Sequence, residues 1–274
     1  MSACGVCGGA GREVLPGILE CGSCGLAYRE EKYFGAPQYS EGLAAGIYGS
    51  AKARLFVQAL DLLDLEFPGR GRLLDIGCAS GELLKAAADR GWQAEGVELD
   101  AELARQAQAA GFKVTARPVE EAGLDGNSYD AVTVFEVFCL MAKPAAAAAE
   151  LFRVLKKGGL FYARDFNAAF HLPLSRLEAA GLFRPFGMRP AVLHNFNFRA
   201  RTLRALLERV GFTEIKIRNS RPTSGDPYRT GGALGGFLTR GLKFLYYTLA
   251  QALWYASFGR VYAGSSLIVT ARKP

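Results

Sequence analysis

Short apolar runs alternate with amphipathic stretches from about residue 70 to the end of the chain. Residues 73–76 form the first run, and a glycine-containing turn and a helical pattern follow it. The next apolar run ends in Val97-Glu98-Leu99-Asp100. A buried strand, a tight turn, a helix and a second strand that ends in an acid are typical of the first half of a nucleotide-binding βαβ unit.

The same alternation continues downstream. It predicts helices at residues 101–110 and 145–155, and strands at residues 112–115, 127–136 and 160–163. The Lys-Lys-Gly-Gly sequence at residues 156–159 is expected to end the second of these helices, because cations and glycine suit a helix C-terminus. Elements in this order predict an α/β fold with a doubly wound, Rossmann-like sheet.

The turn after the first strand favours one class of cofactor. Gly77 and Gly81 allow a sharp bend and a close approach to a ligand, and Glu98 is placed to accept hydrogen bonds from ribose hydroxyls. A dinucleotide fingerprint would require glycine where the chain has Ala79 and Glu82. An acid at a helix N-terminus also disfavours a pyrophosphate. An adenosine cofactor without phosphate therefore fits the turn better.

The pattern Asp75-x-Gly77-x-Ala79-x-Gly81, followed by Glu98, resembles the first two motifs of the class I S-adenosylmethionine-dependent methyltransferases. Residues 128–132 and 152–159 resemble the fourth and fifth motifs of this family. Residues 198–212, 213–217 and 265–273 resemble its late helix, sixth strand and final strand. The resemblance implies a seven-stranded sheet, S-adenosyl-L-methionine as cofactor and methyltransferase activity. The cofactor-binding residues that it implies are Asp75, Gly77, Cys78, Gly81, Glu98, Leu99, Val119 and Glu136.

Candidate catalytic residues follow from the acceptor side of this fold. Methyl transfer is an in-line displacement that requires alignment and, for a hydroxyl acceptor, removal of a proton. Many relatives carry an acid–histidine pair after the fourth strand, where this chain has Cys139-Leu140. Asp165, at the end of the fifth strand, and His194, ahead of the late helix, are the remaining candidates. His171 is expected to lie in a loop and is a weaker choice.

Two C-x₂-C pairs near the N-terminus, separated by 13 residues, form a second signal: Cys4, Cys7, Cys21 and Cys24. Four thiolates at this spacing are typical of a structural zinc site. Metal binding would supply the folding energy that so short a segment lacks. Two disulfides and a rubredoxin-like iron are the alternatives. The chain starts at Met1 without an apolar signal segment, so we expect a reducing, cytoplasmic location where disulfides are scarce.

The sequence predicts a zinc-binding knuckle at residues 1–30, a helical linker or cap at 31–69, and a methyltransferase domain at 70–274 with a helical insertion at about 220–262. A zinc knuckle ahead of such a core resembles bacterial methyltransferases of sugars, glycolipids and cell-surface polysaccharides. This resemblance implies O-methylation of a sugar, glycolipid or lipid-linked glycan intermediate. A cofactor-binding interaction protein without turnover and an RNA or protein methyltransferase are the alternatives.

Positive charge is concentrated in the last third of the chain. The net charge is +7, but from residue 181 onward there are 15 Lys and Arg against three acids. Such a balance indicates an anionic partner. Nucleic acid is disfavoured, because the inserted segment at residues 233–258 is a leucine-rich helix rather than a surface of stacking aromatics. The oligomeric state is not indicated.

The inserted helix carries two apolar stripes at helical spacing. A leucine stripe is expected to dock on the core: Leu234, Leu238, Leu242, Leu245, Leu249 and Leu253. An aromatic arc with Arg240 and Lys243 is expected to meet an anionic membrane surface as a peripheral contact: Phe237, Phe244, Tyr247, Trp254, Tyr255 and Phe258. Burial of both stripes in the protein or in a dimer is the alternative.

Overall fold

The computed structural model describes residues 3–34, 52–186, 191–223 and 232–274, and the side chains of residues 33, 186, 232–240 and 242 lie outside this description. The strands are β1 (Gly11–Leu15), β2 (Ile18–Cys21), β3 (Ala27–Tyr28), β4 (Arg72–Ile76), β5 (Gln93–Val97), β6 (Lys113–Thr115), β7 (Tyr129–Phe135), β8 (Leu155–Phe166), β9 (Phe196–Asn197), β10 (Thr213–Asn219) and β11 (Ser266–Arg272). The helices are α1 (Ala53–Glu66), α2 (Glu82–Ala88), α3 (Ala101–Ala109), α4 (Pro144–Val154), α5 (Ala168–Ala179), α6 (Ala200–Val210) and α7 (Gly232–Ala256).

The main sheet has seven strands in the order β10-β11-β8-β7-β4-β5-β6. The strands from β4 to β8 pair in parallel, and β11 runs antiparallel between β8 and β10. The parallel strands are apolar because both faces of the sheet are covered. The predicted α/β fold with a doubly wound, seven-stranded methyltransferase sheet is confirmed.

Two hydrophobic layers enclose this sheet. On one face, Leu60 and Leu63 of α1 pack with Trp92 and Tyr162. On the other face, α4 and α6 pack against the alternate side chains of β7, β8 and β11. Side chains that alternate between two apolar layers fix the register of each strand, because a shift by one residue would exchange the two faces. The carboxyl ends of the parallel strands are therefore held at one edge.

α4 ends at Val154, directly ahead of the Lys-Lys-Gly-Gly sequence, as the helix-stop signals predict. β8 begins at Leu155, earlier than the predicted strand at residues 160–163, but its regular pairing with β7 and β11 starts at Leu160, after a register shift. One local prediction was wrong. His171 lies in α5 and not in a loop. The start of α5 is capped by Asn167, whose Oδ1 accepts a hydrogen bond from the Ala169 N–H at 3.0 Å.

A second, four-stranded sheet has the order β1-β2-β3-β9. β1 to β3 come from the cysteine-containing segment, whereas β9 comes from the loop that precedes α6. The pairing of β3 with β9 is antiparallel, with Ala27 opposite Asn197 and Tyr28 opposite Phe196. The predicted N-terminal knuckle therefore shares a sheet with the domain that follows it. Its predicted boundary at residue 30, and the predicted linker at 31–69, stay predictions.

Candidate active site and metal centre

The turn between β4 and α2 bends as the glycines suggested. Gly77 and Gly81 have φ values of +73° and +92°, a backbone region that other residues rarely adopt. A Cβ on Gly77 would lie 2.3 Å from Val137 Cγ2, so the turn has no room for a side chain there. The N–H groups of Gly77 and Cys78 donate to Val97 O at 2.7 and 3.2 Å, which ties the turn to the end of β5.

Glu98 lies directly after β5 and braces the same turn. Its Oε2 accepts a hydrogen bond from the Ala79 N–H at 2.9 Å, and its Oε1 accepts one from the Asp100 N–H at 2.9 Å. A carboxylate has about four acceptor positions, so these two bonds leave positions for other donors. Glu98 is thus fixed in place while keeping capacity for ribose hydroxyls.

The other predicted cofactor residues differ in their solvent exposure. Leu99 is 63% exposed, whereas Val119 and Cys78 are buried. The Cys78 thiol packs below Gly96, where a Cβ would lie 2.4 Å from Sγ. The Cys78 side chain therefore belongs to the core, and only its backbone faces the turn. The exposed Leu99 offers an apolar surface suited to an adenine ring.

Asp75 lies below the turn, at the carboxyl end of β4, and is 4% exposed. Its Oδ1 accepts a hydrogen bond from Thr133 Oγ1 at 2.7 Å. Burial raises the pKa of Asp75 to about 7, although the Thr133 hydrogen bond opposes the shift. A buried carboxyl at this edge suits a cationic ligand group, because a nearby cation favours ionisation.

Glu136 follows β7 and holds two buried cations. Lys52 Nζ lies 2.7 Å from Glu136 Oε2, and Arg164 Nη1 pairs with Oε1. Glu136 has φ +61°, a conformation that costs free energy in a residue with a side chain. Burial and then the neighbouring Arg164 lower the pKa of Lys52 to about 7, and burial lowers that of Arg164 to about 10.

Lys52 and Arg164 were not predicted as site residues. Arg164 Nε donates to Ser220 Oγ at 2.8 Å and Nη2 to Arg221 O at 3.2 Å, so this side chain links β8 to the end of β10. An arginine inside the apolar strand at residues 160–166 was the available signal, because charged residues are rarely buried unless paired. Lys52 precedes α1 and gave no signal, since only the folded chain brings it to Glu136.

Asp165 is buried at the end of β8, and both of its oxygens are bound by backbone groups. Oδ2 accepts from the Cys139 N–H at 2.9 Å and Oδ1 from the Phe166 N–H at 2.7 Å. Burial raises the pKa of Asp165 to about 6, partly offset by these hydrogen bonds. The side chain holds the loop after β7 against the end of β8.

The two histidines have different surroundings. His171 Nε2 lies 3.0 Å from Ser265 O, and its Nδ1 accepts from the Val192 N–H at 3.2 Å. His194 packs on the Phe166 ring at a centroid distance of 5.0 Å. Its buried Nε2 has no hydrogen-bond partner within the part of the chain that the structure describes. Burial lowers the pKa of each histidine to about 4, so both are neutral at pH 7.

The four predicted metal ligands converge. The sulfur atoms of Cys4, Cys7, Cys21 and Cys24 all lie within 4.8 Å of one another, with Sγ–Sγ distances of 3.6 Å for Cys4–Cys24 and 3.4 Å for Cys7–Cys21. Tetrahedral zinc with Zn–S bonds of about 2.3 Å requires sulfur atoms about 3.8 Å apart. The cysteines are free thiols, so the disulfide alternative is not what the structure has. The donor set fits zinc.

The two cysteine pairs have the same turn. The Gly8 N–H donates to Cys4 O at 2.8 Å, and the Gly25 N–H donates to Cys21 O at 2.9 Å. Gly8 and Gly25 have φ values of +74° and +73°. Burial raises the pKa of Cys21, but hydrogen bonds from the backbone of Cys24 and Ser23 and from Cys7 Sγ outweigh it and lower the pKa to about 6. Burial raises the pKa values of Cys4 and Cys24, and a bound metal would favour the thiolate form at all four positions.

Helix α7 docks on the carboxyl edge of the main sheet. Tyr246 OH lies 2.7 Å from Ser265 Oγ, and Asn219 Nδ2 donates to Ala250 O at 3.1 Å. The leucines expected to dock face solvent instead, with Leu245, Leu249 and Leu253 each more than half exposed. The side chains of Leu234, Phe237, Leu238, Arg240 and Leu242, named in the same prediction, lie outside the described residues.

Of the predicted aromatic arc, one part is exposed and one part is not. Phe244, Tyr255 and Phe258 are exposed, whereas Tyr247 and Trp254 are half-buried. The exposed face of α7 therefore combines leucines with aromatics. Its described positions carry no charged side chain between Phe244 and Phe258. Among the helices that the structure describes, none has the length and apolar character needed to cross a bilayer.

Comparisons with known proteins place the chain in a family. A family model described as a methyltransferase domain matches residues 48–217. The ubiquinone biosynthesis O-methyltransferase of Xanthomonas oryzae pv. oryzae is 31% identical over 126 residues, which cover 42% of this chain and 53% of the relative. The Xanthomonas axonopodis pv. citri protein of the same name is 31% identical over 147 residues, covering 48% and 62%. The chain thus spans about half the length of the curated relatives it matches.

Solved structures share the fold. A S-adenosylmethionine-dependent methyltransferase from Archaeoglobus fulgidus superposes with a TM-score of 0.56 at 18% identity, covering 86% of this chain and 100% of the other. The Haemonchus contortus phosphoethanolamine N-methyltransferase 2, in complex with S-adenosyl-L-methionine, gives 0.57 at 16% identity, covering 89% and 59%. At these identities the likeness concerns the fold alone.

Proposed function

The chain belongs to the methyltransferase-domain family, and we propose that it is an S-adenosylmethionine-dependent methyltransferase that methylates a hydroxyl oxygen of a sugar, glycolipid or lipid-linked glycan intermediate. The proposed cofactor contacts are the Gly77–Gly81 turn, Glu98 for the ribose hydroxyls, and Leu99 and Val119 beside adenine. When bound, the cofactor supplies a methyl group on a sulfonium. Asp75 and Glu136 at the neighbouring strand ends complete the proposed set, with Cys78 contributing backbone only.

One observation carries the choice of a hydroxyl acceptor. A hydroxyl must lose its proton as its oxygen attacks, whereas a neutral amine attacks without a base. His194 is neutral and has a buried Nε2 without a partner in the described residues. We assign it the role of general base: Nε2 would accept the hydroxyl proton as the oxygen attacks the methyl group that the bound cofactor would supply. Asp165, with both oxygens bound by amides, is assigned a positioning role.

The charge of the chain suits a polyhydroxylated or anionic acceptor, because its last third is strongly basic. Arg164, Lys52 and Ser220 are buried polar groups at the strand ends, where Lys52 and Arg164 pair with Glu136 and Arg164 binds Ser220. The curated relatives act, by their name, in ubiquinone biosynthesis, which makes a phenolic ring on a lipid chain the second candidate acceptor. The exposed face of α7 favours a lipid-linked molecule in either case.

The test is a labelling experiment. Wild-type protein and His194→Ala are incubated with methyl-labelled S-adenosylmethionine and separate bacterial fractions: lipid extract, water-soluble sugars, RNA and polypeptide. We expect label in the lipid or sugar fraction with wild type and a strong loss with His194→Ala. Label in RNA or polypeptide, or equal labelling by both proteins, would contradict the proposal. A phenol of the ubiquinone series added to parallel reactions distinguishes the second acceptor.

We also propose that the four thiolates hold one structural zinc ion and no substrate. The four sulfur atoms lie within 4.8 Å of one another and would fill all four positions of a tetrahedral zinc, so no position would stay open for catalysis. Elemental analysis of the purified chain should give one zinc per chain, and Cys21→Ser should lower this content. Iron in place of zinc, with the absorption of a ferric thiolate centre, would show the rubredoxin-like alternative.

The exposed face of α7 is proposed to rest on an anionic membrane surface as a peripheral contact from the cytoplasmic side. Its leucines and aromatics lie beside the acceptor edge, and the exposed Arg260 follows directly. Apolar burial and attraction to anionic lipid act together at such a surface. Wild type should co-sediment with phosphatidylglycerol vesicles.

Leu249→Ser/Leu253→Ser should reduce this binding at least about tenfold, whereas Leu65→Ser, which changes an exposed leucine on α1, should not. No sedimentation of wild type would refute the membrane proposal.

A further inference from the structure

The cysteine segment is attached to the acceptor side of the fold by backbone pairing. β3 lies three residues after Cys24, and it pairs with β9 through Ala27–Asn197 and Tyr28–Phe196. The Arg29 N–H continues this pairing by donating to Asn195 O at 2.8 Å. Residues 195–197 are thus the last strand of the knuckle sheet, and they directly follow His194.

Asn197 fixes the position of His194 relative to this sheet. The Asn197 side chain is 3% exposed. Its Oδ1 accepts from the His194 N–H at 2.9 Å, and its Nδ2 donates to His194 O at 2.9 Å and to Ala27 O at 3.3 Å. One buried amide therefore joins both backbone groups of His194 to β3.

The opposite side of the same segment is bound to the strand ends of the main sheet. The Phe196 N–H donates to Cys139 O at 3.0 Å, and the Cys139 N–H donates to Asp165 Oδ2 at 2.9 Å. The Phe198 carbonyl accepts from the Ala168 N–H at 2.8 Å. Residues 194–198 are therefore held between the knuckle and the acceptor edge.

Further contacts join the knuckle to α6. Thr202 Oγ1 donates to Cys24 O at 3.0 Å, Arg209 Nη1 donates to Val6 O at 2.9 Å, and Arg199 forms a 2.9 Å ion pair with Glu20. Several of the knuckle's buried side chains, among them Cys4, Val6 and Tyr28, belong to the same apolar cluster as α6. The same cluster also reaches Ile76 and Val97, but the hydrogen bonds that brace the Gly77–Gly81 turn and Glu98 come from β5 and from their own neighbours.

We propose that the cysteine knuckle is a metal-dependent support for residues 194–198, which we call the acceptor wall. Metal binding by the four thiolates fixes β3, β3 fixes β9, and Asn197 then sets the position of His194. The cofactor turn lies outside this chain of contacts and does not depend on the metal. The inference rests on the proposed role of the acceptor wall, but its test needs no acceptor. Small metal sites couple binding to local folding in this way.

The test is hydrogen exchange of the full chain with its metal and after removal by a mercurial reagent and a chelator, with metal content measured in each sample. Without metal, we expect amides in residues 25–29 and 194–198 to exchange at least about tenfold faster. Peptides covering residues 73–84 and 93–100 should be unchanged. The calorimetric Kd for S-adenosylhomocysteine should stay within about twofold, since its site is separate.

Two outcomes would overturn the proposal. Continued protection of residues 194–198 in metal-free protein would show that the knuckle is an independent appendage. If the metal-free protein loses both its binding of S-adenosylhomocysteine and its amide protection throughout the chain, the metal supports the whole fold. Failure of His194 as a base would appear only in the labelling of His194→Ala and would leave the exchange pattern intact.

A variant tests the same link without touching a thiol. Asn197→Ala should keep one metal per chain while residues 194–198 exchange at least about tenfold faster. Asn195→Ala is the matched control, because its side-chain amide lies 3.4 Å from Leu140 O and does not reach β3. Equal exchange at residues 194–198 in Asn197→Ala and in wild type would contradict the role assigned to Asn197. Metal removal remains decisive if the variant does not fold.

Discussion

The cofactor side and the acceptor side of this sheet are built in different ways. On the cofactor side, residues 75–81 and 98–100 come from one βαβ unit, and hydrogen bonds within that unit, including those to the Glu98 carboxylate, brace the turn. On the acceptor side, Lys52, Arg164 and His194 come from three distant parts of the chain, and Lys52 and Arg164 both pair with Glu136 of the cofactor set. The first side is a local motif, whereas the second depends on long-range contacts that include the cysteine knuckle.

The largest effect should come from the acceptor side. His194→Ala removes the proposed general base, and such a change typically lowers the rate about 100- to 10,000-fold. Affinity for S-adenosylhomocysteine should be unchanged, because His194 lies outside the cofactor turn. The rate with wild type should not depend on this group above pH 5, since burial lowers its pKa to about 4. A rate that falls by less than threefold would remove His194 from the chemistry.

Gly77→Ala tests how tightly the cofactor turn is built. The new Cβ would lie 2.3 Å from Val137 Cγ2 at φ +73°, so we expect S-adenosylhomocysteine to bind about 100-fold more weakly. Gly111→Ala is the control, because Gly111 has φ +94° but open space around it. It should lower the free energy of unfolding by about 1 kcal/mol and leave affinity intact. Equal affinities in the two variants would contradict a tightly packed turn.

Glu98→Gln sharpens the comparison with a nearly isosteric change. A hydrogen bond to a charged group contributes about 1.5–3 kcal/mol, so calorimetry should show binding of S-adenosylhomocysteine weakened about 10- to 100-fold. Glu95→Gln removes an acid from the middle of β5 that pairs with Arg72 and Lys113, away from the turn. It should affect stability but not affinity. Retained affinity in Glu98→Gln would place the ribose elsewhere.

The smallest effect concerns His171, the structural counterpart of His194. Burial lowers the pKa of His171 from 6.5 to about 4, so the folded protein favours the neutral ring. The resulting stability is complete above pH 6.5 and is lost as the pH falls towards 4. The His171→Gln variant has no titrating ring at this position, so its stability does not fall with pH for this reason. The difference in unfolding free energy between wild type and variant should therefore shrink by about 2 kcal/mol from pH 7.5 to pH 5, and a constant difference would contradict it.

The cofactor turn and the cysteine cluster were accessible to sequence reasoning because their ligands lie at fixed short spacings. Gly77, Gly81 and Glu98 lie where the motif placed them, and the four thiols converge. The pairing of β3 with β9 was not predictable from the sequence. Each strand has two residues, which give no periodic signal, and the two strands lie about 170 residues apart in the chain. The buried pair of Lys52 with Glu136 was missed for the same reason. The predicted orientation of α7 was wrong. Both of its stripes are apolar, so the periodicity did not show which stripe packs on the core.

A structure of the chain with S-adenosylhomocysteine tests the separation of the two sides most directly. The account predicts ribose hydroxyls within hydrogen-bond distance of Glu98, the adenine between Leu99 and Val119, and the sulfur facing the edge that carries His194. A ribose bound away from Glu98, or a sulfur that faces away from residues 194–198, would contradict it.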